Sequence, residues 1–192
     1  MDKRIIVVGA FTETIELCEE AGFEVIGIID NQQKGIVNGI PIIGTDDDRK
    51  KIFAEYGACG VVISPDSPVL KEKLMKNYKD EGFTFPTIIS PFAHISKSAV
   101  INEGVIIQAG VNISSHVKIG RMVKLNYNVN VMHDVTIEDN CVIAPNVVLL
   151  GRSSVLSSSY IGANTTVMPN ACIYSHSKVK PCSIIYDERN AQ

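Results

Sequence analysis

Residues 113–148 read ISSHVK-IGRMVK-LNYNVN-VMHDVT-IEDNCV-IAPNVV, which is one six-residue phrase repeated six times. The phrase continues in both directions, so that fifteen consecutive hexads from Ile95 to residue 184 each begin with Ile, Leu or Val. The fifth place of each hexad is a small or β-branched residue. An α-helix would need apolar spacings of three and four residues, and a flat strand would need strict alternation. A period of six with one obligatory aliphatic residue indicates a parallel β-helix, in which each hexad forms a short strand and a corner.

The hexads resemble those of the hexapeptide-repeat proteins. That resemblance implies three hexads per triangular coil, about five coils in all, and a left-handed helix. Strands of successive coils would lie about 4.8 Å apart and would satisfy each other's backbone hydrogen bonds. The aliphatic residue would point into the prism, and the small fifth residue would fit beside it at a narrow corner.

The first ninety residues have a different pattern, in which apolar runs alternate with amphipathic segments. Predicted strands cover residues 4–10, 23–30, 40–43, 59–64 and 83–90, and predicted helices cover residues 12–21, 46–56 and 68–80. Strands that alternate with helices indicate a parallel α/β sheet. The sequence therefore predicts a small Rossmann-like α/β domain over residues 1–90, followed by a left-handed parallel β-helix domain over residues 91–192.

Composition limits the partners and the compartment. The net charge is −3 and no basic cluster is present, so we expect no nucleic acid partner. No run of eighteen apolar residues occurs and the N-terminus leads directly into a strand, so we expect no membrane span and no signal peptide. The five cysteines are scattered and lack CxxC spacing, which favours a reduced, cytoplasmic compartment.

His133 is the residue of the repeat best placed to move protons. Asp134 follows it and could hold the imidazole in one tautomer and raise its basicity. Gly151 lies eighteen residues later, one coil above on the same face, and Asn126 lies seven residues earlier. A base with a backbone N–H one coil away is a workable arrangement for acyl transfer, because the amide can stabilise the developing oxyanion. The remaining histidines are interpreted as surface residues.

At these residues the chain resembles a known family. The segment from Asn126 to Asp134, continuing through Gly151 to residues 161–164 (IGAN), is similar to the sialic acid/bacillosamine acetyltransferase family of sugar acyltransferases. The resemblance implies a homotrimer that transfers acetyl from acetyl-CoA to a sugar, often to the amino group of a nucleotide-linked sugar. It implies that His133 is the catalytic base, supported by Asp134, and that Gly151 lies beside the thioester.

The same resemblance suggests further site residues and no metal. We assign Ala163 to the cofactor site, together with Gly151, and Asn126 to the acceptor site. In the N-terminal domain we expect Gly9 and Asp30 to line the acceptor pocket, since ligands bind at the carboxyl ends of parallel strands. Asp30 stands where a ribose-binding carboxylate would lie, and a purely structural turn at Gly9 is the alternative interpretation.

Three departures from the family pattern bear on the ligands. The first turn reads GAFTET, residues 9–14, where the family usually has Gly-x-x-Gly-His-Gly, so the acceptor is a nucleotide-linked sugar or a sugar without a nucleotide. A histidine that contacts the cofactor in some members is Val142 here. Residues 184–192 replace the Gly-x-Pro-Ala segment with which the family usually closes, which implies either a weaker affinity for the cofactor or a differently built donor site.

Two other readings remain for the repeat. A zinc enzyme of the γ-carbonic anhydrase type uses the same prism, but it needs a close pair of histidines and a third ligand, and the four histidines offer no such pair. A non-catalytic β-helix scaffold or binding protein that has lost substrate recognition would also fit the departures described above. The sequence favours the acetyl-CoA-dependent sugar acetyltransferase.

Overall fold

The structure, a computed structural model, describes residues 3–57 and 59–186. Its N-terminal part is an α/β arrangement with a mainly parallel sheet in the order β3-β4-β2-β1-β5, in which only β3 runs antiparallel to its neighbour. The strands are β1 (Arg4–Val8), β2 (Glu24–Ile29), β3 (Ile36–Val37), β4 (Ile40–Gly44) and β5 (Gly60–Ile63). The helices are α1 (Thr12–Glu20), α2 (Arg49–Tyr56), α3 (Pro68–Glu81) and a short 3₁₀ helix (Asp46–Asp48). None of the described helices is both long and apolar enough to cross a membrane.

The repeat forms a prism of two-residue strands. In chain order these are β6 (Ile88–Ile89), β7 (His94–Ile95), β8 (Val100–Ile101), β9 (Ile106–Ile107), β10 (Asn112–Ile113), β11 (Lys118–Ile119), β12 (Lys124–Leu125), β13 (Asn130–Val131), β14 (Thr136–Ile137), β15 (Val142–Ile143), β16 (Val148–Leu149), β17 (Ser154–Val155), β18 (Tyr160–Ile161), β19 (Thr166–Val167), β20 (Cys172–Ile173), β21 (Lys178–Val179) and β22 (Ile184–Ile185). Every third strand belongs to the same sheet. We call the sheet that begins with β6 face 1, the sheet that begins with β7 face 2 and the sheet that begins with β8 face 3.

The register of the prism agrees with the hexad pattern. Each strand pairs in parallel with the strand eighteen residues away, as Lys124 does with Val142 and Ile119 does with Ile137. The residues in the first and fifth places of the central hexads form one continuous buried cluster along the axis. The hexapeptide repeat and the stacked parallel β-helix predicted from the sequence are therefore confirmed. The sequence analysis found residues 184–192 in place of the family's Gly-x-Pro-Ala segment, and residues 187–192 of that stretch lie outside the described residues.

The fourth place of each hexad carries a conformational requirement that the apolar pattern did not reveal. Every fourth-place residue from Gly104 to Cys182 has a positive φ, between 57° and 72°. This left-handed conformation is unfavourable for most L-residues and is best tolerated by Gly, Asn and Asp. Asparagine accordingly recurs at this place, at Asn128, Asn140, Asn146, Asn164 and Asn170. Asp134 and His116 also occupy this place, so the left-handed backbone sets the direction of their Cα–Cβ bonds.

The N-terminal part packs on face 1 of the prism. The outward-facing residues of the first four strands of that face, namely Ile88, Ile106, Lys124 and Val142, are all buried. Ile88 and Ile106 join the apolar cluster of β1 and α1, and Met122 joins the cluster that contains Phe83. The two parts of the chain thus share a core, which holds the carboxyl ends of β1 and β2 in place relative to the prism.

Two lysines lie in this shared core. The Lys124 ammonium is 2.7 Å from a carboxylate oxygen of Asp66 and 3.7 Å from one of Glu13. Lys71, in the first turn of α3, is completely buried, and its Nζ has no hydrogen-bond partner among the described residues. Burial, together with the charge of Lys124, lowers the pKa of Lys71 to about 7, against the opposing effects of Asp66 and Cys141.

Replacing Lys71 with methionine is expected to stabilise the protein by a few kcal/mol at pH 7, because an unpaired buried amine is replaced by a side chain of similar size. The unfolded chain binds a proton at Lys71 below about pH 10.5 and the folded chain does so only below about pH 7. The free-energy cost of burying Lys71 therefore grows as the pH falls from 10.5 to 7. The increase in the free energy of unfolding caused by Lys71→Met grows over the same range. Urea unfolding at pH 7 and pH 10 measures this gain. The exposed neighbour Lys73→Met serves as the control, and an equal gain for both variants would contradict the account.

Candidate active site

His133 and Asp134 form a hydrogen-bonded pair on the corner between faces 2 and 3, which we call the second corner. This corner contains residues 96–99, 114–117, 132–135, 150–153 and 168–171. The His133 Nδ1 is 2.8 Å from the Asp134 Oδ2, and both side chains are about half exposed. An imidazole that donates its Nδ1–H to a carboxylate keeps the lone pair on Nε2. In that tautomer the Nε2 atom is free to accept a hydrogen bond.

Gly151 lies against the imidazole of His133, one coil above. A Cβ atom on Gly151 would be 2.6 Å from the His133 Nε2, and no side chain could occupy that space without moving the ring. The backbone of Gly151 is not in the left-handed region, so the glycine is needed here for the close approach of the imidazole. Its N–H makes no hydrogen bond with another described residue, whereas its carbonyl accepts one from the Asn170 N–H.

Replacing Gly151 with alanine is expected to lower activity by about 10- to 100-fold, because the imidazole must turn away from the methyl group. The fold should survive, since the backbone of Gly151 is unstrained and the ring is half exposed. The control is the same substitution in a His133→Ala background, where the methyl group has room. Thermal unfolding of the four proteins gives the coupling between the two sites. A coupling of zero would show that the two residues do not touch.

Asp134 contacts a second imidazole that the sequence interpretation left among the surface residues. The His116 Nδ1 is 3.6 Å from the Asp134 Oδ1, so each carboxylate oxygen faces one histidine. The hydrogen bond from His133 lowers the pKa of Asp134, against a small opposing effect of burial, and the charges of His133, His116 and Arg152 add to the lowering. The spacing of eighteen residues between His116 and Asp134 was the signal that could have predicted this contact.

Asn126 and Ala163 lie on a different corner of the prism. The corner between faces 1 and 2, here called the first corner, contains residues 90–93, 108–111, 126–129, 144–147, 162–165 and 180–183. Asn126 is buried there and donates its Nδ2–H to the Ile143 carbonyl at 3.0 Å. Within one chain, the structure therefore brings His133 and Gly151 together on one corner, and places Asn126 and Ala163 on another.

The first corner meets the N-terminal part at Glu13. The buried Gln108 donates to the Glu13 carboxylate at 3.5 Å, and the Lys124 ammonium lies 3.7 Å from the same oxygen. Glu13 lies in the segment that follows the Gly9 turn, and its negative charge is thus partly compensated by the Lys124 ammonium of the prism. Val142 is buried under the N-terminal part and faces no open site.

Gly9 and Asp30 line one cavity at the carboxyl ends of β1 and β2. The cavity has a volume of about 360 Å³, and its lining residues are Val8, Gly9, Ala10, Phe11, Ile29, Asp30, Asn31, Gln32, Gln33, Asp46, Pro65, Leu70 and Leu74. The Asp30 carboxylate accepts hydrogen bonds from the backbone N–H groups of Ala10, Gln32 and Gln33 at 2.8–2.9 Å. Burial raises the pKa of Asp30, but these three hydrogen bonds outweigh it and lower the pKa below its usual value. Asp30 therefore holds the Gly9 turn in place at the edge of the cavity.

The described histidines do not form a metal site. Among residues 3–57 and 59–186, no group of three or more His, Cys, Asp or Glu side chains is arranged to hold a metal ion. The structure does show His133 hydrogen-bonded to Asp134 at 2.8 Å, and His116 3.6 Å from the other oxygen of the same carboxylate.

Comparisons with known proteins support the interpretation of residues 113–148 as hexapeptide repeats. A family model, bacterial transferase hexapeptide (six repeats), matches residues 116–151, the segment that contains His133, Asp134 and Gly151. No curated protein gives a significant match to the chain.

The whole described architecture matches solved structures. A mutant of GDP-perosamine N-acetyl transferase from Caulobacter crescentus, in complex with CoA and GDP-perosamine, matches with a TM-score of 0.90 at 26% identity, over 95% of this chain and 88% of that chain. The acetyltransferase domain of PglB from Neisseria gonorrhoeae FA1090, in complex with acetyl coenzyme A, matches with a TM-score of 0.88 at 23% identity, over 97% of this chain and 92% of that chain. The resemblance to the hexapeptide-repeat sugar acetyltransferases that the sequence indicated is confirmed by these matches.

Proposed function

We propose that the protein is an acetyl-CoA-dependent acetyltransferase that acts on a sugar. The acceptor group is an amine of a nucleotide-linked amino sugar, or a sugar hydroxyl. The observation that carries the proposal is the His133–Asp134 pair, whose Nε2 lies against the backbone of Gly151. The similarity to a GDP-perosamine N-acetyl transferase that binds CoA supports the donor and the acceptor class.

The chemistry follows from the positions of these groups. The His133 Nε2 takes a proton from the acceptor amine or hydroxyl as this attacks the thioester carbonyl, and a C–N or C–O bond forms. The N–H of Gly151, which has no partner among the described residues, stabilises the oxyanion of the tetrahedral intermediate. When the C–S bond breaks, the imidazolium returns its proton to the leaving thiolate. Asp134 holds the ring in the tautomer that leaves Nε2 free and stabilises the imidazolium.

The distribution of residues over two corners supports a homotrimer. Asn126 and Ala163 lie on the first corner, and His133 and Gly151 lie on the second corner of the same chain. We propose that three prisms, each a left-handed β-helix, pack around an axis so that the first corner of one chain meets the second corner of its neighbour. Each site would then contain His133 and Gly151 from one protomer and the two first-corner residues from the other. Light scattering should give about three times the chain mass of 20.9 kDa.

The N-terminal cavity is the proposed acceptor pocket. In this account, residues 1–90 are a Rossmann-like acceptor domain and residues 91–192 are the acyltransferase domain. The Gly9 turn and Asp30 line the cavity, as ligand-binding residues do at the carboxyl ends of parallel strands. No Lys or Arg is among the lining residues, which favours an uncharged moiety of the acceptor in the cavity itself. We propose the cytoplasm as the compartment, where acetyl-CoA and nucleotide sugars are found together.

Mass spectrometry of acceptors tests the proposal. The protein is incubated with acetyl-CoA and a panel of amino sugars, each supplied free and linked to UDP or GDP. We expect one acceptor to gain a single acetyl group in step with the release of free CoA, and we expect His133→Ala to abolish both signals. A wild-type protein that acetylates no member of the panel and releases no CoA would indicate a non-catalytic scaffold.

A further inference from the structure

Five residues of the second corner stack directly above one another and form a ladder of charged and polar groups. The fourth-place residues, eighteen residues apart, are Ser98, His116, Asp134, Arg152 and Asn170. The Arg152 Nε donates to the Asn170 Oδ1 at 3.0 Å. The Ser98 hydroxyl accepts a hydrogen bond from the His116 N–H at 3.0 Å, and the charges of His116 and Arg152 act on Asp134 from below and above. Asp134 is therefore shared between His133 in its own turn and the two neighbouring coils.

The carboxylate of Asp134 is divided between two imidazoles. Its Oδ2 lies 2.8 Å from the His133 Nδ1, and its Oδ1 lies 3.6 Å from the His116 Nδ1. The first distance is that of a hydrogen bond, and the second is that of an ion pair, which exists when His116 is protonated. The left-handed backbone at Asp134, with φ of 60°, and at His116, with φ of 59°, fixes the two side chains on the same edge of the prism.

We propose that His116 is a positioning residue of the acetyl transfer site, which lies within ion-pair distance of one oxygen of Asp134 while His133 is hydrogen-bonded to the other, and which weakens the base when it becomes protonated. This inference rests on the proposed function. Protonated His116 forms an ion pair with Asp134 and competes with the imidazolium of His133 for the same negative charge. The charged groups around the carboxylate that set this competition are His133, His116 and Arg152.

The competition predicts two shifts of opposite sign. In His116→Asn the competing cation is removed, so the imidazolium of His133 no longer shares the negative charge of Asp134 with a second cation. The midpoint of its titration therefore moves to higher pH. In Asp134→Asn the anion is removed, and the midpoint moves to lower pH. The effect in His116→Asn is that of removing one partly solvated charge several ångströms from another. High salt should reduce it, because exposed charges are screened.

Asparagine is the matched replacement at this position. It occurs at five other fourth places of the prism and tolerates the left-handed backbone, so His116→Asn removes the titrating group and keeps the corner. His176 supplies the control, since it also occupies a fourth place, with φ of 61°, but lies on the corner between faces 3 and 1. His176→Asn should leave the titration of His133 and the transfer rate unchanged.

NMR titration of the four histidine rings is the test, and it does not depend on catalysis. The chain has only four histidines, so single His→Asn variants assign every signal. We expect the His133 midpoint to rise in His116→Asn, to fall in Asp134→Asn and to stay in His176→Asn. Where transfer is measurable, the acid limb of kcat/KM should move in the same directions, whereas a purely structural role would lower the rate at every pH. An unchanged His133 midpoint in His116→Asn overturns the inference, even if the protein proves to be an active acetyltransferase.

Discussion

Replacing His133 with alanine is expected to lower the rate of acetyl transfer by about 100- to 10,000-fold, the usual contribution of a positioned general base. The loss should appear in kcat, because the imidazole acts on the proton of the acceptor in the transition state. The fold should be retained, since the His133 side chain is half exposed on a corner and contributes nothing to the axial core. Affinity for acetyl-CoA should change little for the same reason. Steady-state kinetics and thermal unfolding of the purified variant measure both effects.

Two further variants sharpen this result. Asp134→Asn should cost less than His133→Ala, because asparagine keeps the left-handed backbone and can still accept the Nδ1–H of His133. Its rate profile should rise at lower pH than that of the wild type, since the imidazolium loses its anionic partner. His94→Ala, at the outward place of β7, is the control and should retain full activity. Full activity in His133→Ala together with its loss in His94→Ala would mean that the base is another residue.

Replacing Ile119 with aspartate is expected to prevent folding, because Ile119 is completely buried on the axis of the prism. An unpaired carboxylate at such a place costs at least several kcal/mol, which is comparable to the whole stability of a domain of this size. The matched control is Lys118→Asp, at the adjacent residue of the same strand, whose side chain points outward and is exposed. Circular dichroism and size-exclusion chromatography compare the two variants.

The two aspartates also test the hexad register. If the register is right, one residue of β11 tolerates a carboxylate and its neighbour does not, because successive side chains of a strand point to opposite faces. A soluble Ile119→Asp protein that melts at the temperature of the wild type would place Ile119 outside the core. Loss of folding in Lys118→Asp alone would point to the same error.

The prism could be predicted from the sequence because its hydrophobic pattern is local and strictly periodic. The hexad count places Ile119 on the axis and Lys118 outside, and both positions are as expected. Asn126 and His133 are seven residues apart, which is one hexad plus one residue. The hexad pattern therefore places them on two neighbouring corners. The sequence also places Gly151 one coil above His133, and the structure brings their atoms into contact.

Other features depend on contacts between distant parts of the chain. Lys71 stands in a helix rich in charged residues, and nothing local indicates that its side chain is the one covered by the prism. The link from Glu13 to Lys124 and Gln108 joins residues about a hundred positions apart, so no pattern within a segment could predict it. The contact between His116 and Asp134 lies between these cases. The eighteen-residue spacing predicts the neighbouring coils, but only the positive φ of the fourth place turns both side chains to one edge.

Calorimetric titration with acetyl-CoA measures whether the protein binds the proposed donor, and it requires no knowledge of the acceptor. We expect saturable binding of one acetyl-CoA per chain to the wild-type protein. Binding should persist in His133→Ala, which removes the base and leaves the backbone of Gly151 in place. A protein that is folded and trimeric but gives no binding heat at several temperatures would be a scaffold built on the same prism, and the proposed acetyl transfer would be excluded.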